Sequence, residues 1–191
     1  MRLALKILAV AVVGTALGLL ATWLMVAWYG TLGRVSDGPW KTNVAAGRRD
    51  SDPVARLFVA LHGLFALPAS EAVYYTATTD SAGAALDGRC RYALAGPAPD
   101  AGWWSITAYG PDDYLIANPA HRYSIASTAA SAQGAAGRLA IQVGGADGGD
   151  RWIPAGSGRF SLTLRLYRPG PTVRLDPAHA ALPALTKVGC P

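Results

Sequence analysis

This chain is poor in charge, thiols, imidazoles and catalytic signatures. Only 15% of its 191 residues are Asp, Glu, Lys or Arg, with two cysteines and three histidines. A Gly-x-Ser-x-Gly elbow, a His-Glu-x-x-His helix, a P-loop and a Gly-x-Gly-x-x-Gly turn are all missing, so the usual sequence marks of an α/β-hydrolase serine, a zincin, a nucleotide triphosphatase or a dinucleotide enzyme are absent. Two cysteines alone make a poor zinc site, and the sequence implies neither metal nor cofactor. Basic residues are scattered, never five in a row. After Arg2 and Lys6 are set aside, 15 basic residues face 12 acidic ones, so nucleic acid is not an expected partner. Disorder is excluded as well, because 51% of the residues are hydrophobic.

What the chain has is one long apolar run. From Ile7 to Gly33 there is no charged residue, and about 20 apolar residues suffice for a helix to cross the hydrocarbon core. Arg2, Lys6 and the amino terminus precede the run, and Trp23, Trp28 and Tyr29 stand near its far end, where amphipathic rings favour the interface. The expectation is a single-pass membrane anchor, its start cytoplasmic and the bulk of the chain outside the inner membrane. A cleaved signal peptide is the rival reading. Its apolar region is usually about 7–15 residues with small residues at the cleavage site, whereas this run is longer and ends in "LMVAWYG". Outside the cytoplasm an even cysteine count favours a disulfide between Cys90 and Cys190, with two unpaired buried thiols as the alternative.

The predicted organisation is an anchor over 1–33, a polar linker over 34–51 and a β domain over 52–191 with a leading helix at 52–67. Asp52 suits an N-cap and Pro53 the first helical position. Val54, Leu57, Phe58, Leu61, Leu64 and Phe65 form one helical stripe, and Pro68 stops it. His62 lies off that stripe, as a solvated histidine would. From there the period changes to two. "AVYYTATT", "RCRYALAG", "WWSITAYG", "RYSIAS", "RLAIQVG" and "RFSLTLRLY" read as strands separated by Gly/Pro/Asp turns. A sheet with one apolar face needs a second layer, so the fold class is mainly β: an antiparallel sandwich or jelly-roll-like domain with one flanking amphipathic helix and an N-terminal transmembrane helix. "GGADGGD" lacks the spacing of a calcium loop and reads as a flexible turn.

In "WWSITAYG" alternation sends Trp104, Ile106 and Ala108 to the core and Trp103, Ser105, Thr107 and Tyr109 to the other face. Gly110-Pro111-Asp112-Asp113 makes a turn whose aspartates cap backbone groups. A nucleophilic Ser105 would need a base, and no spacing places a histidine beside it.

Four separated motifs then agree: W-S-I-T-x-Y at 104–109, N-P at 118–119, W-I-P at 152–154 and F-x-L-x-L-R-L-Y at 160–167. In this order and spacing the chain, over roughly 70–175, resembles the family called domain of unknown function 1214, in a short form like membrane-anchored bacterial envelope proteins. Longer relatives place a second domain of unknown function, numbered 1254, ahead of it. The resemblance implies a mainly β domain and no established reaction. Its motif positions include Trp104, Ser105, Thr107, Tyr109, Asn118, Arg122, Trp152, Pro154, Arg165 and Tyr167. Structural roles account for several: Trp104 as a core anchor, Asn118 as a turn former, and Arg165 in a cross-strand pair with an acidic group. A shared groove, with Trp103, Ser105, Thr107, Tyr109, Asn118, Arg122, Trp152 and Tyr167 as candidate lining, is the functional reading.

Three functions compete. The favoured one is a non-catalytic binding or accessory protein of the cell envelope, partnered by the membrane through residues 7–33 and by another envelope protein. The second is a carbohydrate-like small-ligand domain, which would need Trp103, Tyr109, Tyr114 and Trp152 on one concave surface. The third is an enzyme using a Tyr/Arg-lined groove.

Overall fold

The structure, a computed structural model, describes residues 2–29, 34–43, 47, 50, 53–61, 67–129, 138–145 and 149–191. Helix α1, Arg2–Tyr29, takes up nearly the whole apolar run. It is long and apolar enough to cross a membrane, and none of its most apolar window is buried within the chain. Helix α2 spans Pro53–Leu61. Asp52 and residues 62–66, including His62, Leu64 and Phe65, lie outside the described residues, as do the side chains of Phe58 and Leu61.

All six expected strands form. They are β3 (Ala72–Ala77), β4 (Arg91–Gly96), β5 (Ala101–Tyr109), β6 (Ser124–Ala126), β7 (Leu139–Val143) and β9 (Ser161–Pro169). Four further strands join them: β1 (Arg34–Asp37), β2 (Trp40–Asn43), β8 (Trp152–Ile153) and β10 (Ala184–Gly189). A short helix α3, Pro171–Leu175, follows β9. The expected linker is therefore corrected over 34–43. These residues form an antiparallel hairpin that pairs Trp40 with Ala77 of β3. Its two-residue loop begins at Gly38 with φ of 58°, a conformation glycine adopts without steric cost and hairpins use.

The strands make two layers. One is a six-stranded sheet in the order β1-β2-β3-β9-β5-β6, the other a four-stranded sheet in the order β10-β4-β7-β8. Every pairing is antiparallel except β7 with β8, so the second sheet is mixed. Two-residue alternation delivers Tyr75 of β3, Trp104 and Ile106 of β5, and Leu162, Leu164 and Leu166 of β9 into one core. Tyr92, Leu94, Leu139, Ile141 and Val143 of the second sheet join the same cluster. Tyr92 meets Phe160 edge-on at 5.9 Å between ring centres. Cys90 and Cys190 form a disulfide across 100 residues, tying the carboxyl-terminal end to the approach to β4.

Candidate functional site

The long central strands β9 and β5 position the candidate site. Their register sets Arg165 opposite Ser105, Thr163 opposite Thr107, and Tyr167 opposite Trp103. On its other edge β9 sets Arg165 opposite Tyr74 of β3. Because Leu164 and Leu166 point into the core, Arg165 and Tyr167 must project from the outer face of the six-stranded sheet. Trp103, Ser105, Thr107 and Tyr109 project there too, which is the row that alternation assigned away from the core.

This outer face is a shallow relief of hydroxyls, rings and one cation. Ser105 and Thr107 are its floor, each only 6% exposed. Trp103, Tyr109, Tyr74, Arg165 and Tyr167 are half-buried around them. The rings interlock edge to face, Trp103 with Tyr167 at 5.4 Å and Tyr74 with Tyr167 at 6.4 Å between centres, the geometry that ring quadrupoles favour. Burial first, and then the hydrogen-bonded Tyr167, push the Tyr74 phenol above its ordinary pKa, while the Arg165 charge pulls it down.

Arg165 overturns one expectation. It was to pair with an acidic group, yet its partners are neutral. Nη1 donates to Thr107 Oγ1 at 3.0 Å, Nη2 donates to the Tyr109 hydroxyl, and the guanidinium carbon lies 5.3 Å from the Tyr109 ring centre. Among the described residues no carboxylate lies within ion-pair distance of it.

Three of the eight candidate groove residues are placed elsewhere. Asn118 Nδ2 donates to the carbonyls of Ile116 and Arg122, both at 3.0 Å, and its Oδ1 accepts from the Arg122 N–H at 3.1 Å. That amide closes a loop, as the turn reading expects. The Arg122 guanidinium reaches the Gly149 carbonyl and lies 3.6 Å from Asp150. Trp152 stands on β8 of the other sheet and donates Nε1–H to the Gly144 carbonyl at 3.0 Å. Its neighbour Ile153 faces the core, so Trp152 faces away from it. Trp103 and Trp152 thus belong to different sheets, and Tyr114 is 75% exposed on the turn after β5. The four aromatic rings required for a carbohydrate platform do not converge. In that turn Asp112 Oδ1 accepts from the Tyr114 N–H at 3.2 Å, and Asp113 adopts a left-handed φ of 62°.

Alternation along β5 and β9 identified this face but missed Tyr74. Its signal was the same period-two pattern in "AVYYTA", where Tyr75 goes in and Tyr74 goes out. Two other concavities avoid the face altogether. One, of about 380 Å3, lies around the disulfide and includes Asp87, Arg89, Arg159 and Lys187. The other, of about 290 Å3, crosses the outer side of β4 and β7 between Arg91 and Arg151.

Comparison with known proteins agrees with the fold. The crystal structure of the VPA0106 protein from Vibrio parahaemolyticus superposes with a TM-score of 0.64 at 23% identity, over 95% of this chain and 45% of that one. The chain thus spans less than half of that neighbour's length. An uncharacterized protein from Burkholderia cenocepacia gives a TM-score of 0.44 at 13% identity, over 88% of this chain and 40% of that one. No curated protein matches. Residues 71–171, from the start of β3 to the start of α3, match the family described as "Protein of unknown function (DUF1214)". Since that match covers more than half of the sequence and all four motifs, the chain belongs to the DUF1214 family.

Proposed function

We propose that this chain is a non-catalytic binding or accessory protein of the bacterial cell envelope, held in the inner membrane by α1 with its two-sheet domain in the periplasm. The observation that carries the reading is the contrast within α1, whose most apolar window is entirely unburied by the rest of the chain. At roughly 25 cal/mol per Å2 of apolar surface, such a helix in water would be strongly unfavourable, and lipid removes that cost. Arg2 and Lys6 at its start orient the domain outward. The Cys90–Cys190 disulfide agrees, since such bonds persist in oxidising compartments.

The site chemistry favours binding over turnover. Ser105 lies between Arg165 and Ala126 in register, and neither is a general base. His179 is on the surface, bonded to Asp176 at 2.9 Å. A hydroxyl-rich face with interlocked rings and a fixed guanidinium is suited to holding a ligand or another protein.

Three measurements test this. A reporter fused after Pro191 that is active only when exported should be active, and the chain should resist alkaline carbonate extraction; activity of a cytosol-only reporter would overturn the topology. Crosslinking in intact membranes followed by native mass spectrometry should show an envelope partner, whereas a clean monomer would overturn the accessory role.

A further inference from the structure

We propose that the Arg165 face of the six-stranded sheet binds a small monoanionic carboxylate carried on a flat apolar body. This rests on the binding reading above and adds the chemical class of ligand.

The argument starts from hydrogen-bond capacity. A guanidinium has five N–H donors and no acceptor. Arg165 gives one to Thr107 Oγ1 and one to the Tyr109 hydroxyl. Each hydroxyl, having accepted from a cation, keeps its own O–H proton to donate. The cluster is therefore rich in donor capacity: guanidinium N–H groups beyond the two already used, and the half-buried Tyr109 hydroxyl beside them. A group that only accepts, and carries negative charge, completes it.

Charge decides which anion. Arg165 is half-buried, and a partly desolvated cation surrounded by neutral oxygens gains most from an ionised hydrogen-bonding partner. None of the described carboxylates supplies one. The strand neighbours of Arg165 in register are Tyr74 and Ser105, both neutral, so among the described residues no second cation stands directly beside it in the sheet. A single guanidinium matches a carboxylate in charge and in its planar two-oxygen geometry, while a phosphate dianion would call for further cations.

The surroundings decide what the carboxylate is attached to. Tyr167 lies two residues beyond Arg165 on the same face, about 7 Å along the strand, with Trp103 edge-on against it. Tyr74 closes the other side. With the carboxylate on Arg165, a ring or flat acyl group reaches these half-exposed aromatics, where stacking adds affinity.

The test uses the full chain in detergent micelles, titrated calorimetrically with sodium benzoate and indole-3-carboxylate. Benzamide serves as the uncharged counterpart and inorganic phosphate as the anion without an apolar body. Saturable binding of the two carboxylates, at least tenfold tighter than benzamide or phosphate, is expected. Arg165→Gln should weaken it at least tenfold. Tyr109→Phe, which keeps the ring and removes both the hydroxyl donor and the oxygen that holds Arg165 Nη2 in place, should weaken it severalfold while the domain stays folded with a modestly lower thermal melt. If Arg165→Gln does not fold, Tyr109→Phe carries the test alone. Equal binding of benzamide and benzoate would overturn the carboxylate class while leaving a ligand face in place. Carboxylate binding indifferent to these substitutions would overturn the site. No binding of either carboxylate would overturn the proposal as a whole, and the crosslinking experiment would still judge the accessory reading separately.

Discussion

Trp40 and Pro183 are 143 residues apart, yet the Trp40 indole N–H donates to the Pro183 carbonyl at 2.8 Å in the buried interior. The contact fastens the β1–β2 hairpin to the segment that leads into β10. Asp37 adds a second tie, accepting from the Leu182 N–H at 3.2 Å. Trp40→Phe keeps most of the apolar volume and orphans the carbonyl, which should cost about 1–3 kcal/mol of unfolding free energy. Trp40→Ala also leaves a void and should cost about 3–5 kcal/mol. Guanidinium unfolding of the full chain in detergent, followed by far-UV circular dichroism, checks both values and their order.

The Cys90–Cys190 disulfide closes a loop of 100 residues. Its loss removes a constraint on the unfolded chain, and for a native bond the cost is about 2–5 kcal/mol. Cys190→Ser should lower the melting temperature about as much as reductant lowers that of the wild type, because Cys190 is exposed and leaves no cavity. A wild-type melt insensitive to reductant would contradict the bond.

Gly88 is fixed by close approach. A Cβ there would stand 2.2 Å from the Ala155 carbonyl oxygen and 2.4 Å from that of Gly156, backbone atoms that cannot swing away. The Gly88 N–H also donates to the Gly158 carbonyl at 2.8 Å. Gly88→Ala should therefore destabilise the domain by about 1–3 kcal/mol or prevent its folding. Gly158→Ala, whose added methyl meets open space, should stay within about 0.5 kcal/mol of wild type. Comparing the two melts isolates the clash from the general cost of replacing glycine.

The Asp87 carboxyl is held at about 2, below its ordinary 3.8, first by the Arg89 side-chain hydrogen bond and then by the Arg89 backbone N–H. Its folded pKa is depressed, so the stabilisation is full above the unfolded value and fades as pH falls from about 4 to about 2. The carboxyl is partly open to solvent and its partner Arg89 is exposed, so screening keeps the contribution small. Carboxyl carbon NMR should give a midpoint near 2 for Asp87, rising towards 3.8 in Arg89→Gln. An unchanged midpoint in that variant would remove Arg89 as the cause.

Strands with several core residues were legible because alternation is a local signal. β9 buries Leu162, Leu164 and Leu166 and β5 buries Trp104, Ile106 and Ala108, and both were read with the right faces. β10 has only Leu185 fully buried and leaves Val188 61% exposed, so edge position erased its pattern. The β1–β2 hairpin has one large core side chain, Trp40, amid polar residues, and its Gly38-Pro39 loop was the turn signal overlooked. β8 is two residues long and exists through its parallel pairing with β7.

The sequence alone determined the apolar helix, the two-residue period of the main strands and the outward row from Trp103 to Tyr109, because each follows from the order of neighbouring side chains. Only the tertiary structure decided that Arg165 meets hydroxyls instead of an acid, that Tyr74 joins Tyr167 and Trp103, and that Trp152 belongs to the other sheet. Those outcomes depend on which strands pair and in what register, and pairing between distant segments is set by the packing of the whole core.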